Sequence, residues 1–204
     1  MASMKEIADH LGLSRTTVSN ILNNNLEGKS YRKETIDAVK TAAAEIGYIQ
    51  NQLATSLKTG KSRTIAIVIP DVANSFYISV VQEVERLSTL DDYNLIISIT
   101  EEDLSKEERA LETLRGKMVD GILISPVSYT QSLRDFPAAL NVVCFDRYVD
   151  RNRIVSVSIE NYEVGRRLAE EMLKAGSRQP LFLGGNTNDI TNRCRLNGLR
   201  DFFH

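Results

Sequence analysis

The sequence predicts an α plus α/β fold, with a helical head followed by a doubly wound α/β domain. Three observations lead to this prediction. Helical periodicity fills residues 4–58, β-rich runs alternate with amphipathic helices from Thr64 onward, and a polar segment at 59–63 separates the two patterns. We therefore assign residues 1–58 to the head, 59–63 to a linker and 64–204 to the α/β domain.

Three short helices account for the head. Apolar residues at helical spacing predict the first helix over residues 5–11, and Ser14 is a favourable N-cap for a second helix over 15–22. A third apolar stripe predicts a helix from about 32 to 46, which Gly47 ends because glycine adopts the left-handed conformation at little cost.

The α/β pattern consists of five β-rich runs and four helices. The runs cover residues 65–70, 93–100, 121–125, 142–145 and 181–184, and the helices cover about 76–88, 105–117, 162–174 and 191–203. Such alternation is typical of a parallel, doubly wound sheet. In these folds ligands bind beyond the carboxyl ends of the strands.

Charge is distributed unevenly between the two parts. The chain has 25 Lys or Arg and 27 Asp or Glu, a net charge of −2. Residues 1–63 hold 9 of the basic and 6 of the acidic residues, a net charge of +3, which leaves 16 and 21, a net charge of −5, for the rest. A basic head on an acidic body indicates that only the head contacts nucleic acid.

Cysteine content and the amino terminus indicate where in the cell the protein is expected. Two cysteines, Cys144 and Cys194, are too few for a disulfide framework, and their apolar or helical surroundings predict buried free thiols. The amino terminus lacks the apolar segment of a secretory signal, and no apolar run approaches the ~20 residues that cross a membrane. We therefore expect a cytoplasmic protein without a membrane partner.

The segment at residues 7–19 has the residue types of a helix-turn-helix. Ala8 is small where the two helices cross, and Gly12 supplies a turn residue without Cβ strain. Val18 gives the second helix an apolar contact that fixes the angle between them. A helical hairpin inside a larger helical protein is the alternative interpretation.

A helix-turn-helix places the start of its second helix against base edges in the DNA major groove. Arg15 and Thr16 occupy that position, and Arg15 can pair with a guanine for about 1–3 kcal/mol of discrimination. The further predicted base or phosphate contacts of the head are Lys5, Ser14, Thr17, Ser19, Asn20 and Asn23.

These motifs resemble the lactose-repressor (LacI/GalR) family over nearly the whole chain. Residues 46–48 and 51–57 match the family's third-helix end and its hinge helix. The resemblance implies that Leu57 wedges into the minor groove, since an apolar wedge can unstack a base step. It implies neighbouring DNA contacts for Asn51, Leu53, Ala54 and Lys58. An apolar stripe on a short helix is the plainer interpretation of the two leucines.

Three departures from the family pattern stand in the head. Asn20 follows Ser19 where the family has arginine, which removes a DNA contact, and Gln50 replaces a proline before the hinge. Arg32 stands where the family has a Ser or Thr cap for the third helix, so we expect Ser30 to cap that helix instead.

The second part resembles the family's effector-sensing domain, which is similar to periplasmic sugar-binding proteins. The resemblance rests on residues 71–77, on Val-Asp-Gly-Ile at 119–122, on 145–147 and on 193–198. The effector-binding residues that it implies, at strand ends and helix starts, are Asn74, Phe76, Ser125, Asp146, Asn161 and Arg195. Of these, Asp146 and Arg195 can bond to hydroxyls, or to a purine or a phosphate.

Structural roles are the alternatives for several of these residues. Asn74 can cap the next helix, and Asp146 can form a local ion pair with Arg147. The acidic run at 101–103 is interpreted as the solvated start of a helix.

The chain stops at His204 inside a predicted helix, whereas the resemblance implies that family members continue beyond this point. We therefore expect a fragment or a short gene product whose second lobe is incomplete, with one strand and two helices. Effector binding and dimerisation are expected to be weak.

The sequence therefore predicts a homodimeric transcriptional repressor that binds double-stranded operator DNA and responds to a sugar or nucleoside. The first alternative is a sugar-binding protein without DNA function. The second is an α/β enzyme, against which the sequence shows no nucleophile elbow, P-loop, metal cluster or paired catalytic carboxylates. No metal and no cofactor is expected.

Overall fold

A computed structural model describes residues 3–23, 30–48, 56, 59–127, 141–149, 154–185 and 189–203. The chain separates into two compact units, Met1–Gly60 and Lys61–His204. The division falls inside the polar segment between the helical and the α/β sequence patterns.

The first unit contains three helices: α1 (Met4–Leu11), α2 (Arg15–Leu22) and α3 (Lys33–Glu45). A capping box begins α1, in which the Ser3 hydroxyl accepts from the Glu6 backbone N–H and the Glu6 carboxylate accepts from the Ser3 N–H. This reciprocal pair satisfies two of the backbone donors that a helix start leaves open.

The turn between α1 and α2 has the predicted residues in the predicted roles. Gly12 has φ +62°, and its N–H donates to the Ala8 carbonyl. The Ser14 hydroxyl caps α2 by accepting from the Thr17 N–H at 3.0 Å. Ala8 and Val18 are 4% and 0% exposed, so the small residue at the crossing and the apolar contact of α2 are both confirmed.

The ends of α3 agree only in part with expectation. Arg32 is the N-cap and makes no side-chain cap bond, so the expectation that Ser30 caps this helix is wrong. Ser30 lies two residues before the cap, too early to meet the first free N–H groups. Gly47 ends the helix with φ +63°, and Tyr48 N–H donates to the Ala43 carbonyl at 2.8 Å, as predicted for a glycine stop.

A parallel five-stranded sheet forms the centre of the second unit. Its strands are β1 (Thr64–Ile69), β2 (Asn94–Ile99), β3 (Gly121–Ile124), β4 (Val142–Phe145) and β5 (Val155–Val157). Their order is β2-β1-β3-β4-β5, with every neighbouring pair parallel. The order reverses direction on either side of β1, which confirms the predicted doubly wound sheet.

Helices cover both faces of this sheet. The four helices are α4 (Ser75–Leu90), α5 (Leu104–Gly116), α6 (Asn161–Lys174) and α7 (Ile190–Phe203). Successive side chains of a strand point to opposite faces. Ala66 and Val68 therefore join one core with Leu111 and Leu114 of α5, while β1 contributes Ile67 and Ile69 to the core beneath α4.

Two strand predictions differ from the structure. Residues 181–184, predicted as a strand, form none, and Leu181 and Leu183 are 80% and 88% exposed. A β-run becomes a strand only when a neighbour pairs with it, and the described residues supply no neighbour there. β5 was missed because three residues give too short an alternation. Among the described residues, the expected second lobe has two helices and no strand.

Helices α6 and α7 cross at two glycines. A Cβ at Gly198 would overlap the Tyr162 carbonyl oxygen, and one at Gly165 would overlap the Arg195 carbonyl. The two backbones are therefore in direct contact, an approach that only glycine permits. This crossing fixes the position of Arg195, which belongs to the site below.

The cysteines are free thiols, as predicted. Cys144 is buried in the sheet core, and burial raises its pKa to about 11. Cys194 is only half-buried, so the expectation of burial is confirmed for the first thiol alone.

Candidate functional sites

The first candidate site is the start of α2. Arg15 and Thr16 are exposed there, as is Ser14, while Thr17 is half-buried. The first turn of α2 contains no acidic residue. A helix start carries partial positive charge and free N–H groups, so this end of α2 favours anionic groups such as phosphates nearby. Lys5 is exposed on α1 and adds a positive charge to the same unit.

Two of the predicted DNA contacts are engaged inside the head. Asn20 is 6% exposed, and its Nδ2 donates to the Tyr31 hydroxyl at 3.1 Å. Asn23 Nδ2 donates to the carbonyl of Ser19 at 2.5 Å and to its hydroxyl at 3.1 Å. Sequence alone did not show the bond of Asn20, because its partner lies across the head rather than on its own helix.

The predicted hinge contacts Asn51, Leu53, Ala54, Leu57 and Lys58 lie outside the described residues. Close to them, the Gly60 N–H donates to the Ser56 carbonyl at 2.8 Å.

The second candidate site is a cavity of about 820 Å³ at the carboxyl ends of the strands. Small-molecule sites have volumes of about 300–1,000 Å³. The lining residues used below are Asp71, Asn74, Phe76, Tyr77, Glu102, Asp146, Arg147, Asp189, Thr191, Asn192 and Arg195. They follow β1, β2 and β4 or lie near the start of α7, which agrees with the strand-end rule for doubly wound sheets.

Four of the six predicted effector residues line this cavity: Asn74, Phe76, Asp146 and Arg195. Asn74 also caps α4, since its Oδ1 accepts from the Phe76 N–H at 3.0 Å. The structural and the cavity interpretation of Asn74 are thus compatible.

The other two predicted residues lie behind the lining. Ser125 is buried, with its Oγ 3.2 Å from the Tyr77 hydroxyl. Asn161 is also buried, and its Oδ1 accepts from Arg195 Nε at 2.7 Å. Both side chains hold a lining residue in place and do not face the cavity themselves.

Asp146 is held in an unusual backbone conformation with φ +61°. Asp is among the few residues other than glycine that tolerate it. Its Oδ2 accepts from the Tyr77 hydroxyl at 2.9 Å. Burial raises the pKa of Asp146, and the hydrogen bond from Tyr77 opposes that change. Burial also raises the pKa of Tyr77, which therefore stays a neutral donor.

Arg147 is 7% exposed and pairs with a carboxylate far away in sequence. Its two terminal nitrogens donate to the two oxygens of Glu102 at 2.7 and 2.8 Å, and Asp189 Oδ2 lies 3.6 Å away. Burial alone would lower the pKa of Arg147, but the bond to Glu102 reverses this and the pKa is raised. The alternative of an ion pair with Asp146 is wrong within the described chain.

Asp189 caps the start of α7. Its Oδ1 accepts from the Thr191 N–H and hydroxyl, both at 2.8 Å, and its Oδ2 accepts from Asn192 Nδ2 at 3.2 Å. The N-terminal end of α7 thus faces the cavity with a carboxylate already bound to it.

Sequence reasoning missed Tyr77, Glu102, Arg147 and Asp189. Glu102 had a usable signal: it follows β2, and the carboxyl end of every parallel strand is a candidate position. The interpretation of residues 101–103 as a solvated helix start is confirmed, since all three are exposed and Asp103 caps α5. A charge run in the sequence does not show, however, that Glu102 also meets a buried arginine.

None of the described helices has the length and apolarity needed to cross a lipid bilayer. Within the same residues, no group of three or more His, Cys, Asp or Glu side chains is placed to hold a metal ion.

Two family descriptions match the chain. Residues 3–51 match the bacterial regulatory proteins of the lacI family. Residues 62–204 match the periplasmic binding proteins and sugar binding domain of the LacI family.

The chain is similar to full-length regulators over part of their length. It is 34% identical over 181 residues to the HTH-type transcriptional regulator RegA of Clostridium acetobutylicum, covering 86% of this chain and 53% of that protein. It is 31% identical over 202 residues to the catabolite repressor/activator of Escherichia coli strain K12, covering 97% and 60%. The chain therefore spans little more than half the length of these relatives.

The fold is similar to that of a crystal structure of the lac repressor dimer bound to operator and the anti-inducer ONPF. The TM-score is 0.82 over 98% of this chain and 61% of that chain, at 21% identity. The helix-turn-helix unit and the parallel sheet with its strand-end cavity, together with family matches that cover both units, show that this chain belongs to the LacI family of bacterial regulatory proteins.

Proposed function

We propose that this chain is part of a homodimeric transcriptional repressor whose head binds double-stranded operator DNA and whose second unit binds a sugar or nucleoside. The observation that carries the proposal is the exposed, capped start of α2, with Arg15 and Thr16 outermost. A helix presented in this way reads base edges when it enters the major groove.

The start of α2 supplies both kinds of DNA contact. Arg15 has the donor geometry that recognises the O6 and N7 atoms of guanine, and Thr16 can bond to a base or phosphate. The N–H groups and the dipole at the helix start favour a phosphate. Minor-groove contacts from the hinge around Leu57 belong to this proposal and follow from the family resemblance.

The cavity of the second unit supports binding of a small polar molecule. Phe76 is 48% exposed at its edge and can cover the apolar face of a sugar ring. Asp146 and Arg195 line the cavity with groups that bond to hydroxyls. Since binding rather than chemistry is the proposed role, we infer no catalytic activity and a cytoplasmic location, where operator DNA is found.

The DNA-binding role is tested by selecting bound sites from a random DNA pool and measuring affinity over a range of salt concentrations. We expect a palindromic site and an affinity that falls steeply with salt, because phosphate contacts release counterions. No binding at low salt would contradict the proposal and leave a sugar-binding protein without DNA function.

Single substitutions can separate recognition of particular bases from electrostatic attraction to any DNA sequence. Arg15→Ala should relax the preference at one position of each half-site, at a cost of about 1–3 kcal/mol for the preferred base. Lys58→Ala should weaken all sequences alike. Lys117→Ala removes the same charge from the second unit and is the matched control, with DNA affinity unchanged.

A further inference from the structure

The cavity has a negative formal charge over its described lining. Its charged residues are four carboxylates and two guanidinium groups, a net charge of −2: Asp71, Glu102, Asp146, Asp189, Arg147 and Arg195. A cavity of one sign attracts ligands of the opposite sign or neutral ones and repels ions of its own sign.

One of the two guanidinium groups of the cavity is already occupied by a carboxylate, and the other, Arg195, donates from Nε to Asn161 at 2.7 Å. A guanidinium fork binds phosphate or carboxylate through two parallel bonds. In Arg147 both terminal nitrogens donate to Glu102, at 2.7 and 2.8 Å. A phosphate that entered at Arg147 would have to displace the Glu102 carboxylate, and one that approached Arg195 would meet the net negative charge of the lining.

The second structure that commonly binds anions is occupied too. Helix N-termini bind phosphate through free backbone N–H groups and the helix dipole. At the start of α7 the Thr191 N–H donates to Asp189 at 2.8 Å, and the Asp189 carboxylate also lies 3.6 Å from Arg147. The same carboxylate therefore neutralises both the helix end and the arginine.

The third nitrogen of Arg147 offers an entering anion no accessible donor. Arg147 Nε is buried and has no hydrogen-bond partner among the described residues. The bidentate face of this guanidinium is therefore the one that an anion would need, and Glu102 occupies it.

We infer that Glu102 and Asp189 make this cavity selective for uncharged polyhydroxy molecules and exclude their anionic counterparts, phosphorylated sugars above all. The inference rests on the proposed effector-sensing function. The two carboxylates act by occupying Arg147 and the start of α7 and by repelling a second negative charge.

Calorimetric titration with matched ligand pairs tests this selectivity. The pairs are ribose and ribose 5-phosphate, glucose and glucose 6-phosphate, and fructose and fructose 1-phosphate, with inorganic phosphate as a separate probe. For any sugar that binds, we expect the phosphorylated member to bind at least about tenfold more weakly. Inorganic phosphate should not raise the melting temperature. A sugar phosphate that binds as tightly as its neutral partner would overturn the inference.

Charge-neutral variants test the assigned residues. Asp189→Asn removes a charge but keeps a good N-cap, since Asn caps helices as well as Asp. Combined with Glu102→Gln, it should raise the affinity for inorganic phosphate and sugar phosphates by about tenfold or more. Glu101→Gln makes the same charge change on an exposed neighbour outside the cavity lining and should keep the wild-type selectivity.

The outcomes remain distinguishable. If Glu102→Gln does not fold, Asp189→Asn alone decides, and failure of the folded variants to gain phosphate affinity contradicts the inference. If none of the three neutral sugars binds the wild type, the proposed sensing of these sugars fails, and the phosphate titrations still decide whether these carboxylates exclude anions.

Discussion

The two units position their functional side chains over different distances along the chain. In the head, Ser14 is bonded to Thr17, three residues away, and the proposed DNA contacts Arg15 and Thr16 lie on the same helix. In the cavity, Tyr77 meets Asp146 across 69 positions and Arg147 meets Glu102 across 45. A site built from neighbours is visible in a sequence, whereas a site built across a fold is visible only in part.

The electrostatic character of the two sites differs as well. The start of α2 is open and without acidic residues in its first turn. The start of α7 is of the same kind, but Asp189 closes it. The two helix N-termini therefore differ in function. The start of α2 favours an external anion, whereas the start of α7 already has the Asp189 carboxylate bound to it.

The largest expected loss of stability is in the second unit and should leave the head folded. Gly198→Ala places a Cβ against the Tyr162 carbonyl, so α6 and α7 must separate. Overpacking against a backbone costs about 3 kcal/mol, at the upper end for such changes. Urea unfolding followed by circular dichroism should show early loss of the second unit, with unchanged binding to DNA.

Gly116→Ala is the control for that change. Gly116 ends α5, and a Cβ there would meet nothing within 4 Å. Alanine should therefore leave stability unchanged or raise it slightly. Equal destabilisation by both substitutions would contradict the proposed role of the glycine crossing.

A smaller loss of stability is expected from removing a polar bond that spans the head, from Asn20 to Tyr31. Tyr31→Phe leaves the buried Asn20 amide without its partner, at a cost of about 1–2 kcal/mol. Tyr48→Phe is the matched control, because Tyr48 packs on the same core but its hydroxyl makes no hydrogen bond within the described residues. Thermal unfolding of the two variants should differ accordingly. Equal melting temperatures would show that Asn20 gains another partner.

Loss of the local cap should cost less. Ser14→Ala removes the side-chain acceptor at the start of α2, worth about 1 kcal/mol. Thr16→Ala, on the exposed face of the same helix, should change DNA affinity without lowering the melting temperature. If the two variants had the same stability, the cap would contribute nothing to the head.

The smallest expected effect is a gain in stability rather than a loss. The pKa of Asp146 is raised above its ordinary 3.8 by burial, so the ionised form is disfavoured in the folded state. The neutral carboxyl therefore makes its whole contribution to the free energy of unfolding below pH 3.8, the pKa in the unfolded chain. That contribution is lost as the pH rises through the higher pKa of the folded state. Asp146→Asn, which also tolerates positive φ, should therefore raise the melting temperature at pH 7 and match the wild type near pH 4.

The measurement for this variant is a series of melting curves between pH 4 and pH 7. A difference that stays constant over the range would show that the backbone conformation, not the charge, is responsible. Ligand affinity should fall at every pH, because the carboxylate lines the cavity.

Much of this protein was predictable because its signals are local. Gly12 and Gly47 marked the ends of α1 and α3, and four of the five predicted strands agreed with the structure to within one residue at each end. The strand-end rule selected Asn74 and Asp146 for the cavity. Predictions failed where a partner was required, as at residues 181–184, whose apolar alternation lacks a neighbouring strand among the described residues.

The sequence by itself determined the helix-turn-helix, the doubly wound sheet and the type of residue at each strand end, because periodicity, caps and turn residues act within a few positions. Only the tertiary structure decided that Asn20 lies inside the head, that Arg147 is bound to Glu102 and that Asp189 closes α7. The physical reason is that a charge or an amide has many acceptable partners in a sequence. A buried charge or amide keeps only the few partners that the fold brings within hydrogen-bond distance.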